Sequence, residues 1–182
     1  GLEQKTQQFV ETRKRFMDEG RPFVSLDETG FGRHGKVVYG YAPKGIPLVC
    51  SKKQLVSSRH TSVVAVMNSE RIVSQKAIHG AFRASDFATF LEALDLPSKT
   101  IILLDNASIH RSLLVKQVAQ TKGFTLLYLP PYSPWFNPIE EAFSIIKRHY
   151  YQHWDIEAAF QALKPHHCQA FFKSAFKKSK GI

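Results

Sequence analysis

The sequence predicts an α/β domain, a mixed sheet covered by helices, and three observations carry that expectation. Strand-like runs fill residues 22–78, and apolar runs then alternate with helical periodicities to about residue 151. Ile101-Ile102-Leu103-Leu104, entered from Thr100, is apolar throughout and too short for a helix, as a buried central strand should be. At 182 residues the chain fits one domain that buries roughly two-thirds of its unfolded surface.

Residues 2–19 read as a helix, with Leu2, Phe9 and Phe16 seven apart, Val10 and Met17 beside them, and Gly20 as the stop. Pro22–Asp27 reads as a strand ending on Asp27 and running into a turn at Thr29-Gly30-Phe31-Gly32. Val37–Tyr41, Thr61–Met67 and Arg71–Ile78 are further strands, with a turn at Asn68-Ser69. Ser85 is a candidate cap for a helix whose Phe87, Phe90, Leu91 and Leu94 share one face. The central strand ends on Asp105, a helix follows Arg111, and Phe124–Leu129 is another strand. After the irregular Pro130-Pro131-Tyr132-Ser133-Pro134, Asn137 caps and Pro138 opens a helix to about Tyr151. Asp155 can cap a short helix, and His166–Lys178 carries Phe171, Phe172 and Phe176 on a last one.

The composition, 43% hydrophobic and 22% charged, is that of a soluble globular protein. No apolar run approaches the ~20 residues of a membrane span, and no secretory signal opens the sequence. Cys50 and Cys168 form no framework, which favours a reducing, intracellular setting. The net charge of +10 is unevenly spread. No acid occurs between Glu28 and Glu70, where Arg33, Lys36, Lys44, Lys52, Lys53 and Arg59 fall. None follows Glu157, where Lys164, Lys173, Lys177, Lys178 and Lys180 do. Such patches attract nucleic-acid phosphates by counterion release, although a solvated basic face gives the same pattern.

Three acids fall where the elements would expose them together: Asp27 and Asp105 after strands, Glu140 in the first turn of a helix. Each has a plainer use. Strand-end aspartates often bond the following turn, and Glu140 stands at capping-box spacing from Asn137. The interval between Asp105 and Glu140 is otherwise acid-free and holds Arg111, Lys116 and Lys122. Isolated carboxylates in basic surroundings suit a hard cation that must also receive phosphates. On its helix Glu140 flanks the apolar stripe of Ile139, Ala142, Phe143 and Ile146, whereas Glu141 falls opposite, with Arg148, where a solvated charge is expected. His149 and His153 stand i, i+4, which alone is a weak zinc signal, and His166, His167 and Cys168 fit no standard finger spacing.

Five blocks, in order, resemble the mariner-like superfamily of DDE transposases and its bacterial insertion-sequence relatives. They are Leu26-Asp27-Glu28-Thr29-Gly30-Phe31, Gly40-Tyr41-Ala42-Pro43-Lys44-Gly45, Leu103-Leu104-Asp105-Asn106-Ala107-Ser108-Ile109-His110-Arg111, Leu129-Pro130-Pro131-Tyr132-Ser133-Pro134 and Phe136-Asn137-Pro138-Ile139-Glu140. The thirty-four residues from 106 to 139 match that family's interval between its last two acids. The resemblance implies a ribonuclease H-like fold and Asp27, Asp105 and Glu140 as catalytic acids holding two Mg2+ or Mn2+ ions. It also implies a polynucleotidyl transferase that cuts a strand at a transposon end and joins the freed 3′-hydroxyl to target DNA.

DNA, as transposon ends and target, is then the partner, with a homodimer expected of the full-length protein. Complete family members carry N-terminal helix-turn-helix modules. Residues 1–20 accordingly read as a linker helix from a missing DNA-binding region, and 21–182 as the catalytic domain with C-terminal basic helices. Lys44, Lys52, Lys53, Arg59, His110, Arg111 and Trp135 are candidate DNA contacts, with Tyr132 and Phe136 near Trp135 as further aromatics. The rival readings are a domesticated, inactive DNA-binding module and a ribonuclease H acting on hybrids, against which the last two blocks argue.

Overall fold

The strand β1 (Phe23–Phe31) is the axis on which the rest is hung. In the computed structural model, which describes residues 1–32, 44–45 and 60–178, β1 lies between an antiparallel and a parallel half-sheet. On one side come β2 (Thr61–Met67) and then β3 (Ile72–His79), each antiparallel to its neighbour. On the other come β4 (Ile101–Leu104) and β5 (Thr125–Tyr128), both parallel, giving the order β3-β2-β1-β4-β5. The expected strand at Val37–Tyr41 lies outside the described residues. Among the described residues β3 is the outer strand on its side, with Gln75, Lys76 and Ala77 exposed.

The period-two alternation of strands sends alternate residues to opposite layers. Val24, Leu26, Val64, Val66, Ile102 and Leu104 pack beneath α2 (Ala84–Glu92) and α3 (Leu113–Lys122), where Phe87, Phe90, Leu91 and Leu94 form the buried face predicted from their spacing. On the other layer Phe31, Val63, Ala65 and Met67 meet α4 (Pro138–His153), α5 (Ile156–Gln161) and α6 (Pro165–Lys177). Beside them Ile101, Leu103 and Leu127 pack against Phe136 and against Phe9 and Phe16 of α1 (Leu2–Asp18). β4 is buried at every position because helices cover both its faces, which is what its unbroken apolar sequence anticipates.

Local chemistry sets the helix ends. Ser112 Oγ accepts from the Val115 N–H at 3.3 Å to start α3, and Gly123, at φ 72°, ends it in the left-handed conformation that favours glycine. Asp155 accepts from the Ala158 N–H at 3.0 Å to start α5. At α2 the expected Ser85 cap is replaced by Asp86, whose carboxylate accepts from the Arg83 N–H at 2.9 Å. The turn expected at Thr29–Gly32 is also corrected. β1 runs on to Phe31, paired with β2 through Phe31↔Thr61. Gly30 is glycine for a different reason than a turn: a Cβ there would come within 2.3 Å of the His60 ring.

Helix α1 is built into this core, although its outer residues Leu2 and Met17, expected on the apolar face, are exposed. Its anchor is Arg13, which is buried and donates from Nη1 to the Ala175 carbonyl at 3.0 Å and from Nη2 to the carbonyls of Phe176 and Lys178 at 3.1 and 2.9 Å. These are end-of-helix carbonyls that α6 itself cannot satisfy. Three rings surround the guanidinium, with Phe9, Phe136 and Phe176 centred 5.5, 5.4 and 5.0 Å away. Burial pulls the Arg13 pKa down to about 10, which still leaves it charged at neutral pH. Arg13→Met keeps the apolar contacts but strands three carbonyls, so urea unfolding should show a loss of about 1–3 kcal/mol. Arg13→Lys should recover little of it, since one ammonium cannot reproduce the fork.

Candidate active site

Two chain segments part company at the end of β4, and the acids sit where they part. β1 and β4 pair in parallel from Phe23↔Ile101 to Ser25↔Leu103, and two residues further along each chain come Asp27 and Asp105. β4 stops at Leu104, while β1 continues against β2 alone, with Asp27 opposite Ala65. Asp27 is therefore not at the end of its strand, as its sequence context suggested. It lies inside β1, at the point where the parallel neighbour has ended.

The third acid is brought in by a polar tether between β1 and α4. Ser25 Oγ donates to Asn137 Oδ1 and accepts from the Ile139 N–H at 3.1 Å, and Asn137 Nδ2 donates to Asp27 Oδ2 at 3.2 Å. Ser25 and Asn137 are fully or nearly fully buried. The sequence assigned the cap of α4 to Asn137, but its side chain caps nothing on its own helix. The cap comes from the strand, through Ser25, and the asparagine is spent holding Asp27. No capping box forms with Glu140 either. Glu140 is exposed and faces a cleft of about 330 Å³ that it shares with Asp105, Asn106 and the loop from Leu129 to Pro134. Glu141, expected to be the solvated neighbour, is half-buried.

Electrostatics tie the three together. Asp27 is 9% exposed, and its pKa is raised to about 8 by burial first and then by the negative charge of Glu140, with smaller contributions from Glu28 and Asp105. Only the Glu28 N–H, at 2.8 Å, works in the other direction among the larger influences. Asp105 is half-exposed and lowered, chiefly by its hydrogen bond to His110 and against the opposing effect of burial, with help from the Ala107 N–H. His110, expected as a DNA contact, is buried with both ring nitrogens engaged. Nδ1 lies 2.6 Å from Asp105 Oδ1, and Nε2 lies 3.0 and 2.9 Å from the two oxygens of Glu28. Burial disfavours the charged ring, but the bonds to Asp105 and Glu28 outweigh it and raise His110 to about 10. Glu28 is the participant that sequence reasoning missed. Its only signal was its place beside Asp27 in the first of the five blocks, and nothing in the spacing paired it with a histidine 82 residues away.

The other candidates divide. Arg111 is exposed and lines a second groove of about 600 Å³ with Lys5, Gln8, Lys116 and Tyr128. That groove joins the acid cleft through Asn106 and Leu129–Pro131, which line both. Lys44 is exposed in a turn, and Lys52, Lys53 and Arg59 lie outside the described residues. Trp135 is half-buried against the core beneath α1, its ring 6.1 Å from that of Phe136, which is fully buried, so these two pack the fold. Tyr132 alone of the loop aromatics stands free, 90% exposed.

Among the described residues no three His, Cys, Asp or Glu side chains form a closed metal cage, the cleft acids included. The donor set nonetheless fits a hard divalent cation. Such ions bind through one or two carboxylates and keep waters or phosphate oxygens as the remaining ligands. A carboxylate whose charge is disfavoured by burial and then by neighbouring anions is also one that a cation relieves. Asp27, Asp105 and Glu140 are the residues that would hold it.

The same shifts make the metal-free fold pH-sensitive. The folded-state value of Asp27, about 8 against 3.8, means that its contribution is fully present below pH 3.8 and lost as pH rises toward 8. His110, about 10 against 6.5, adds stability below pH 6.5 that is lost as pH rises toward 10. Both losses run in one direction, so melting temperatures of the metal-free chain should fall as pH climbs through these windows. Asp27→Asn should flatten the lower part of the profile and leave the upper part.

Residues 22–164 match the sequence model of the DDE superfamily endonucleases. No curated protein sequence matches the chain. Among solved structures, a Mos1 transposase paired-end complex with the left transposon end superposes with a TM-score of 0.75 at 15% identity, covering 98% of this chain and 60% of that one. The catalytic domain of the Mos1 mariner transposase gives 0.65 at 13% identity, covering 96% and 89%. The Mos1 catalytic domain with raltegravir and Mg gives 0.69 at 14%, covering 98% and 92%. At these identities the likeness establishes the fold, the ribonuclease H-like mixed sheet expected from the sequence, and the chain spans 60% of the length of the first of these proteins. The match over residues 22–164 establishes the family, and the chain belongs to the DDE superfamily endonucleases.

Proposed function

We propose that the chain is the catalytic domain of a DNA transposase, with Asp27, Asp105 and Glu140 as the ligands of two Mg2+ or Mn2+ ions. The observation that carries the reading is Asp27, a carboxylate buried beside two others and tethered in place by Asn137, with its charge disfavoured where it stands. The Mos1 structures hold Mg or Mn and transposon ends, which supports the same metals and DNA here. Bound to the three acids, the cations would supply the Lewis acidity that activates an attacking water or 3′-hydroxyl and stabilises the leaving oxygen. The chain's own part is positional. Ser25 and Asn137 fix Asp27 against α4, the loop from Leu129 to Pro134 walls the cleft, and the groove of Lys5, Arg111 and Lys116 offers phosphate contacts leading to it.

The reading carries with it a homodimer of the whole protein, an intracellular setting, and a linker role for residues 1–20 toward a DNA-reading region. No described helix is long and apolar enough to cross a membrane. All three acids are present, so no observation favours the domesticated, inactive alternative.

Two measurements test this. In a strand-transfer assay with a pre-cut transposon end and Mn2+, run on the full-length parent, Glu140→Gln should lower product by roughly 100-fold or more with an unchanged melting temperature, the scale expected on losing a group that stabilises developing charge. Glu141→Gln should stay close to wild type in activity. An inactive Glu141→Gln beside an active Glu140→Gln would reverse the assignment. For the groove, Arg111→Gln with Lys116→Gln should weaken binding of any duplex alike and reduce the salt slope by about 2, one for each phosphate no longer neutralised. Binding that keeps its slope would remove the groove from the DNA path.

A further inference from the structure

Asp105 does not reach the cleft unaided. Its Oδ1 is occupied twice, by His110 Nδ1 at 2.6 Å and by the Ala107 N–H at 2.9 Å, which leaves Oδ2 as the oxygen available to the cleft that Asp105 lines. His110 is itself immobilised. Its side chain is 1% exposed, its ring packs at a tilt of 36° against Phe87 of α2 with centroids 4.5 Å apart, and its backbone carbonyl accepts from the Tyr128 hydroxyl at 2.9 Å. Its outer nitrogen meets both oxygens of Glu28, at 3.0 and 2.9 Å. Each ring nitrogen thus has a carboxylate partner, and the ring is clamped between two acids.

The register explains how Glu28 arrives there. Successive β1 residues point to opposite layers, so Asp27 turns toward α4 and Glu28 toward α2 and α3. One dipeptide thus serves the acid cluster from both sides of the sheet, directly through Asp27 and indirectly through Glu28 and His110.

We propose that Glu28 and His110 are positioning residues that fix the free oxygen of Asp105 for a divalent cation and so set how tightly this site takes the metal. The inference rests on reading Asp105 as a metal ligand. Unlike the usual arrangement, the histidine here stands behind a ligating carboxylate rather than being a ligand, but the logic of outer partners orienting inner ones is the same. Without His110 the Asp105 carboxylate keeps only the Ala107 N–H as a restraint on its rotation, and without Glu28 the ring loses the carboxylate that holds it turned toward Asp105.

The test is Mn2+ binding to the 182-residue chain itself, followed by isothermal titration and by the electron paramagnetic resonance of free Mn2+, alongside melting temperature. Wild type, Asp105→Asn, Glu28→Gln, His110→Ala and the Glu28→Gln/His110→Ala pair are compared. Glu28→Gln and His110→Ala should each weaken Mn2+ binding about 10–100-fold, the usual scale for outer-shell partners. The double variant should be no weaker than His110→Ala, because both act through one oxygen of Asp105. Affinities within error of wild type in folded Glu28→Gln and His110→Ala overturn the proposal, even if both melt early, since that is a structural role alone. Additive losses in the double variant overturn it too. If His110→Ala does not fold, the isosteric Glu28→Gln decides by itself in the same terms. A wild-type chain that binds no better than Asp105→Asn overturns the metal-site reading and the relay with it. Tight wild-type binding with unaltered variants overturns the relay only.

Discussion

The short polar tether between β1 and α4 is the constraint on which the site depends. A serine, an asparagine and an aspartate, all shielded from water, exchange their hydrogen bonds with one another and with one helix N–H. Buried polar groups are tolerated when each finds a partner, and then they admit few alternative arrangements. An apolar contact between the same strand and helix would stabilise the packing but let the helix slide or turn. The tether instead fixes the axial position of α4, and with it the height of Glu140 above the strand ends. Phe31, Ile139, Phe143 and Ile146 then provide the burial that keeps the two elements together, each worth roughly 1.5–3 kcal/mol.

Against this the fold holds a local cost. Asp27, Glu28, Asp105 and Glu140 gather four carboxylates at one place in a chain of net charge +10. Among the described residues one cation, His110, is buried beside them, and it sits on the α2 side of the sheet. No basic side chain among the described residues lines the cleft of Asp105 and Glu140, and the lysines and arginine belong to the adjoining groove. A surface optimised for stability alone would not be arranged in this way. Destabilising charge clusters of this kind are characteristic of sites whose charge is meant for something that arrives later.

Much of this was legible in the sequence, and the limits of legibility have physical causes. The helical faces of α2 and α4 and the buried β4 could be read because burial imposes a period on them, and no single residue was needed. The succession of elements along the chain and the position of Asp105 after β4 followed from the same alternation, whereas the strand order within the sheet did not. Asp27 was misplaced at a strand end because Gly30 looks like a turn residue, while its actual constraint is the His60 ring, a partner 30 residues away. Asn137 was read as a cap because the preference is local, and the competing bonds to Ser25 and Asp27 join residues more than 100 positions apart. Glu28, His110 and Arg13 were missed or misassigned for the same reason: side chains that act across layers leave no periodic trace. For Glu141 the helical wheel predicted a solvated face, and the residue is half-buried.

The outer strand β3 has a consequence for how copies of this chain can assemble. It offers an eight-residue edge, yet its middle presents Gln75 and Lys76 to solvent, and a lysine on an edge discourages another strand from adding to it. The opposite edge, β5, is four residues long and is flanked by α1 and α3, so it offers little backbone to a newcomer. Among the described residues, sheet extension is thereby disfavoured at both edges. These edges favour self-association through helices, loops or a shared polyanion, contacts that can be made and released without refolding the sheet.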